Sequence, residues 1–189
     1  MIGNDIVDLQ VAERESRIHR RGFLDKLFLR DEQALIFQAA QPAVMVWMLW
    51  SCKEAVYKIV HRRTRERKYA PLQFNCRLQQ EANTAAGTVH YQQELYYFQS
   101  CFNAARIHTY AAGSQECLQR LQVFTIVNQQ EEDVSGLARQ AILPDGYFFY
   151  KDEDGIPYIH CSGNGSMEPV SVSHHGRYLG IVKLSGYGI

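Results

Sequence analysis

The sequence predicts an α+β domain in which one long helix packs on a mainly antiparallel sheet. Residues 42–63 hold apolar side chains at helical spacing, with nothing to break the run after Pro42. Residues 72–78, 87–102, 106–112 and 121–128 are rich in β-branched and aromatic residues, as strands are. Near the C-terminus, Asp154-Gly155 and His174-His175-Gly176-Arg177 each separate two short apolar runs, which predicts two hairpins.

Taken in order, residues 2–9 alternate weakly and predict a short strand ending in acids. Residues 11–39 mix charge with Ile18, Phe23, Leu24, Leu27, Phe28, Leu35 and Ile36, which predicts two or three short helices. Pro42 suits the first turn of the long helix, because its missing N–H is not needed there. Met45, Leu49, Cys52, Val56 and Ile59 form that helix's core stripe. The opposite side carries Trp47, Trp50, Glu54, Lys58 and His61. A solvated face does not normally present two tryptophans, so this one is either covered by protein or lines a cleft. Gly87 and Gly113 punctuate the strands that follow, and the polar stretch 129–146 predicts a short helix before Pro144. The hairpins pair 147–150 with 157–160, and 170–173 with 178–184.

The chain of 189 residues fits one domain, 1–189, with room for a buried core. Its 46% hydrophobic and 21% charged content excludes wholesale disorder. Twenty basic side chains balance twenty acidic ones, so no global field draws nucleic acid or an anionic membrane, and neither is expected as a partner. Five cysteines without a C-x-x-C pair argue against a disulfide framework or structural zinc, and for a reducing compartment. Asp5 and Asp8 stand where a signal peptide needs an apolar run, and Ala43 to Cys52 is too short to span a bilayer. A cytoplasmic protein is expected.

Chemistry concentrates on the long helix. Trp50, Glu54 and Lys58 follow one another at four-residue steps and stack along one line. One reading is a surface ion pair, worth roughly 0.3–0.5 kcal/mol. The other is a metal ligand and a phosphate-facing cation sharing one ligand. Asp5 would join Glu54 if the first strand runs beside the helix. Two carboxylates, waters and a diphosphate would then complete an octahedral magnesium site, with Lys58 facing the same diphosphate. Beyond the helix, Arg62-Arg63-Thr64-Arg65-Glu66-Arg67-Lys68 is the densest positive cluster. It suits a helix C-terminus and equally a phosphate or acidic contact.

Trp50, Lys53, Glu54, Ala55 and Lys58 resemble the W-x-x-K-E-A-x-x-K signature of the 4′-phosphopantetheinyl transferases. Gly3-Asn4-Asp5-Ile6-Val7-Asp8-Leu9 is similar to the G-x-D-I-V-E-I start of the holo-acyl-carrier-protein synthases. Phe23 to Glu32 is similar to the F-x-x-R-x-x-x-x-x-E region that follows it there. Asp154-Gly155-Ile156-Pro157-Tyr158 resembles the family's N-G-K-P-Y turn, and Val170-Ser171-Val172-Ser173-His174 its V-S-I-S-H strand. The blocks keep family order and cover about residues 1–65 and 150–184.

The resemblance implies the phosphopantetheinyl transferase fold and a reaction. Coenzyme A would bind with its diphosphate on Mg²⁺ held by Asp5 and Glu54. A serine of an apo acyl or peptidyl carrier protein, from fatty-acid synthesis or a secondary pathway, would attack the β-phosphate and release 3′,5′-ADP. Glu54 would take the serine proton, Lys58 would stabilise the diphosphate, and His174 would help hold coenzyme A. The glycine loop that follows the signature helix in the compact synthases is replaced by His61 to Arg67, so Arg62, Arg63 or Arg65 would supply side-chain contacts instead. Trp50 belongs to the two-lobed branch of the family, and residues 69–149 form a β-rich insertion matching neither branch. The compact synthases are trimers with sites between subunits; the two-lobed enzymes complete the site in one chain. A non-catalytic carrier-protein or coenzyme A-binding module on the same scaffold, and a magnesium-dependent diphosphate hydrolase, are the rival readings.

Overall fold

The structure is a computed structural model that describes residues 1–127 and 143–185. Its order is β1 (Ile2–Asp8), α1 (Leu9–Glu15), α2 (Phe23–Leu27), α3 (Arg30–Gln38), α4 (Pro42–Thr64), a 3-10 turn (Pro71–Gln73), β2 (Phe74–Glu81), β3 (Thr84–Tyr91), β4 (Glu94–Phe102) and β5 (Arg106–Ala112). Then follow α5 (Gln115–Gln119), β6 (Leu121–Val127), β7 (Tyr147–Lys151), β8 (Pro157–Cys161), β9 (Met167–His175) and β10 (Tyr178–Leu184). Among the described residues no helix is long and apolar enough to cross a membrane.

The helix at the centre is α4. Pro42 occupies its first turn and Arg65, in the left-handed region at φ 63°, ends it. Met45, Leu49, Cys52, Val56 and Ile59 are all buried, as the periodicity predicts, against β1, β5 and β4. The tryptophan-bearing side is partly covered from within the chain. Tyr69 crosses back over it, meeting Trp50 edge-on at 5.4 Å and Tyr57 at 4.8 Å between ring centroids. Lys53 is buried too, and its ammonium donates to Glu32 Oε2 at 2.6 Å and to the carbonyls of Leu27 and Pro71, both at 2.9 Å. Glu32 also accepts from the N–H groups of Leu29 and Cys76. One ion pair thus ties α3, α4 and β2 together.

The expected single sheet is two antiparallel sheets of five strands, in the orders β1-β5-β4-β3-β2 and β6-β10-β9-β8-β7. They join at β1, which pairs with β5 along one edge and packs against β9 and β10 on its other side. The continuous strand expected over 87–102 is two strands that turn at Gln92 and Gln93; Gln92 takes φ 55° without the glycine that usually marks such a turn. Gly87 therefore lies inside β3 rather than ending a strand, whereas Gly113 does follow the end of β5. Both C-terminal hairpins form. The short helix expected within 129–146 falls mostly outside the described residues.

Candidate active site

Alternation along β1 directs Gly3, Asp5 and Val7 towards α4, and Asn4 and Asp8 towards the second sheet. Gly3 permits the close approach, since a Cβ there would stand 2.0 Å from the carbonyl oxygen of Ala55. The strand therefore lies directly on the helix, and Asp5 meets the residues of the signature. Ser51 Oγ donates to the Asp5 carbonyl at 3.4 Å, and Lys58 Nζ stands 3.7 Å from Asp5 Oδ1. Lys58 Nζ also donates to the carbonyl of Asn4 at 2.7 Å.

The electrostatics follow from this crowding. Burial raises the Asp5 carboxyl above the ordinary range, opposed by Lys58, Ser51 and His175. Burial also pushes Glu54 up to about 7, with the Asp5 charge adding to the rise and Lys58 opposing it. Two carboxylates that each resist ionisation beside one another are what a divalent cation would relieve, and their oxygens suit a hard ion. Among the described residues no group of three or more His, Cys, Asp or Glu side chains converges. The chemistry of the two carboxylates fits a hard divalent cation, whose remaining positions would fall to ligand oxygens and water.

Beyond Lys58 a cleft of about 250 Å³ opens between α4 and the second sheet, walled by Tyr57, His61, Arg62, Gly155, Pro157 and Ser171. Arg62 is largely tied down. Its Nη2 donates to the carbonyls of Pro157 at 2.9 Å and Val170 at 2.7 Å, and its guanidinium lies 4.9 Å from the Tyr158 ring. Burial lowers its pKa. Two buried nitrogens of these walls, His61 Nε2 and Arg62 Nη1, have no hydrogen-bond partner among the described residues.

The other arginines of the basic cluster are engaged elsewhere. Arg63 pairs with Glu94, Arg65 with Asp152 and Asp154, and Arg67 donates to the Asp154 carbonyl. These arginines clamp the Asp154-Gly155 turn and the β3–β4 hairpin onto the end of α4. A larger cleft of about 660 Å³ lies between α1 and the first turns of α4, lined by Trp47, Val44 and Arg177, away from Asp5 and Glu54.

The two histidines of the β9 end separate. His174 is exposed, while His175 Nδ1 accepts the backbone N–H of Asp8 at 2.9 Å and contributes to the field at Asp5. Asp8 itself has a structural place. It caps α1 by accepting from the N–H groups of Gln10 and Val11, and it pairs with Arg177 Nε at 2.9 Å. Two neighbours escaped the sequence reading. Tyr69, with its hydroxyl buried, has no motif to mark it, and His175 differs from His174 only in strand parity.

The curated proteins compared with this chain include no match. The family model of the 4′-phosphopantetheinyl transferase superfamily matches residues 1–113, a span that takes in β1, α4 and the whole first sheet. By that match, over more than half its length and with Asp5, Glu54 and Lys58 inside the span, the chain belongs to the 4′-phosphopantetheinyl transferase superfamily.

Proposed function

We propose that the protein transfers the 4′-phosphopantetheine arm of coenzyme A to a serine of an apo acyl or peptidyl carrier protein and releases 3′,5′-ADP. The observation that carries this reading is the convergence of Asp5, Glu54 and Lys58 where β1 crosses α4. Asp5 and Glu54 would hold Mg²⁺. Such an ion, when bound, neutralises diphosphate charge and lowers the barrier to phosphoryl transfer. The serine oxygen forms a bond to the β-phosphorus as the bond to the bridging oxygen breaks. Glu54, kept ionised by the metal when Mg²⁺ is bound, would accept the serine proton, directly or through a bound water. Lys58 would hold charge on the diphosphate and return a proton to the leaving 3′,5′-ADP. Arg62 and the His61 edge would face the phosphates from the cleft, and His174 would hold coenzyme A from the outer end of β9.

The walls of the cleft beside Lys58 come from one chain: α4 on one side, the Gly155-Pro157 turn and β9 on the other. This supports a site complete within a single chain, without the trimer of the compact synthases. Incubation with coenzyme A, Mg²⁺ and an apo carrier protein, followed by intact mass of the carrier, tests the proposal. A gain of one phosphopantetheine arm that Glu54→Ala abolishes supports it. A 3′,5′-ADP-type product without carrier modification points to a hydrolase, and binding without turnover to a non-catalytic module; either overturns it.

A further inference from the structure

Asn4, beside Asp5, is completely buried, and its polar groups are hydrogen-bonded without remainder. Its N–H donates to Ser171 Oγ at 2.9 Å, and its Oδ1 accepts from the same hydroxyl at 2.7 Å. Its Nδ2 donates to Ser173 Oγ at 3.0 Å and to His108 Nε2 at 3.1 Å. Its carbonyl accepts from Lys58 Nζ at 2.7 Å. Accepting at Nε2 requires a neutral ring, so His108 carries its proton on Nδ1 and donates it to Thr125 Oγ1 at 2.8 Å. Burial, with Lys58 and Arg106 nearby, pushes His108 down to about 3, which keeps it neutral. Gly180 of β10 leaves the space this cluster occupies, for a Cβ there would stand 2.7 Å from His108 Nε2 and 2.9 Å from Asn4 Nδ2.

The edge of β1 that faces the second sheet is thus fixed by side chains rather than by strand pairing. Pairing with β5 sets the register of β1 along its other edge, but on this edge a strand held only by apolar packing could still tilt by a fraction of an ångström. One held by bidentate contact with Ser171, and by Ser173 and His108, cannot do so without leaving buried groups unpaired. The carbonyl so fixed is the one that receives Lys58.

We propose that Asn4, clasped by Ser171, Ser173 and His108, is a positioning residue that aims the Lys58 ammonium at the reacting diphosphate. The proposal rests on the transferase reading above. Asn4 touches no substrate; it sets the place of the carbonyl that competes with phosphate for Lys58. In the resting site the ammonium is parked on that carbonyl, and a small swing delivers it.

A double-mutant cycle on the transfer reaction tests this, with thermal unfolding recorded for every variant. Asn4→Ala is expected to lower kcat about tenfold or more with the KM for coenzyme A little changed, because misplacement of a charged group costs the transition state first. In a Lys58→Ala background, measured by single turnover, Asn4→Ala is expected to cost almost nothing further. Ser171→Ala, a milder loss, keeps the test open if Asn4→Ala fails to fold, and is expected to show the same coupling to Lys58. Additive losses in the cycle, or folded variants that turn over at the wild-type rate, overturn the proposal while leaving the transferase reading intact. Absence of transfer by the wild-type protein overturns the transferase reading itself.

Discussion

Lys58 Nζ lies 2.7 Å from the carbonyl of Asn4 and 3.7 Å from the carboxylate of Asp5, so one ammonium from α4 answers to two consecutive residues of β1. The arrangement leaves the cation near the acids without a tight ion pair to either. It can turn towards a diphosphate at little cost.

From this geometry, Lys58→Ala is expected to reduce kcat by about 10²-fold or more while coenzyme A affinity falls much less. Steady-state kinetics alongside calorimetric binding of coenzyme A separate the two. Equal losses in turnover and binding would contradict a transition-state role.

Lys53 and Glu32 stand in contrast, since both are buried and saturated by backbone partners. Lys53→Ala leaves Glu32 charged and unpaired, and is expected to cost about 3–5 kcal/mol of folding stability. Urea unfolding measures this, and a loss under about 1 kcal/mol would contradict a structural role for the pair.

Asp8 gives the fold a measurable acid limit. Burial works against its ionised form, but bonds from Arg177 and from the backbone of Arg177 and Val11 outweigh it and hold the carboxyl at about 2. A folded pKa below the unfolded value of about 3.9 means stability is fully present above that value and is lost as pH falls towards 2. With allowance for the exposed Arg177, the contribution is on the order of 1–2 kcal/mol. Asp8→Asn should remove this part of the pH dependence in unfolding measured from neutral pH down to about 2; an unchanged acid profile would exclude it.

Much of this was legible beforehand, for physical reasons. The run from Pro42 onwards announces α4 because a 3.6-residue period survives any environment, and the four-residue steps from Trp50 to Lys58 put the acid and the cation on one line. Asp5 could be joined to Glu54 only by supposing that β1 meets α4, which Gly3 makes possible through a contact no pattern reveals. The turn at Gln92 was hidden because the residue carrying the positive φ is not a glycine. His174 and His175 are indistinguishable in sequence, and only the register of β9 decides which one turns to β1. The arginines after α4 suited phosphate as well as protein, and their partners Glu94, Asp152 and Asp154 lie too far along the chain to be foreseen.

As the proposed Mg²⁺ ligand, Glu54 would link pH to metal. In the metal-free protein its pKa, about 7 against an ordinary 4.5, lies above the unfolded value. Its contribution to stability is therefore present at low pH and is lost as pH rises through about 7. Mg²⁺ favours the ionised form, so it should raise Tm more at about pH 8 than at about pH 6. Glu54→Gln should flatten both responses. A Mg²⁺ shift of equal size at the two pH values, or one retained by Glu54→Gln, would contradict the assignment of Glu54 as a ligand.

The most direct measurement is the intact mass of an apo carrier protein after incubation with coenzyme A, Mg²⁺ and the wild-type enzyme, beside Asp5→Ala, Glu54→Ala and Lys58→Ala proteins shown to be folded. The account predicts a carrier heavier by one phosphopantetheine arm with wild type, and a rate lower by about 10²-fold or more with each variant. A wild-type protein that leaves every acyl and peptidyl carrier unmodified, or a Glu54→Ala protein that modifies one at full rate, would contradict it.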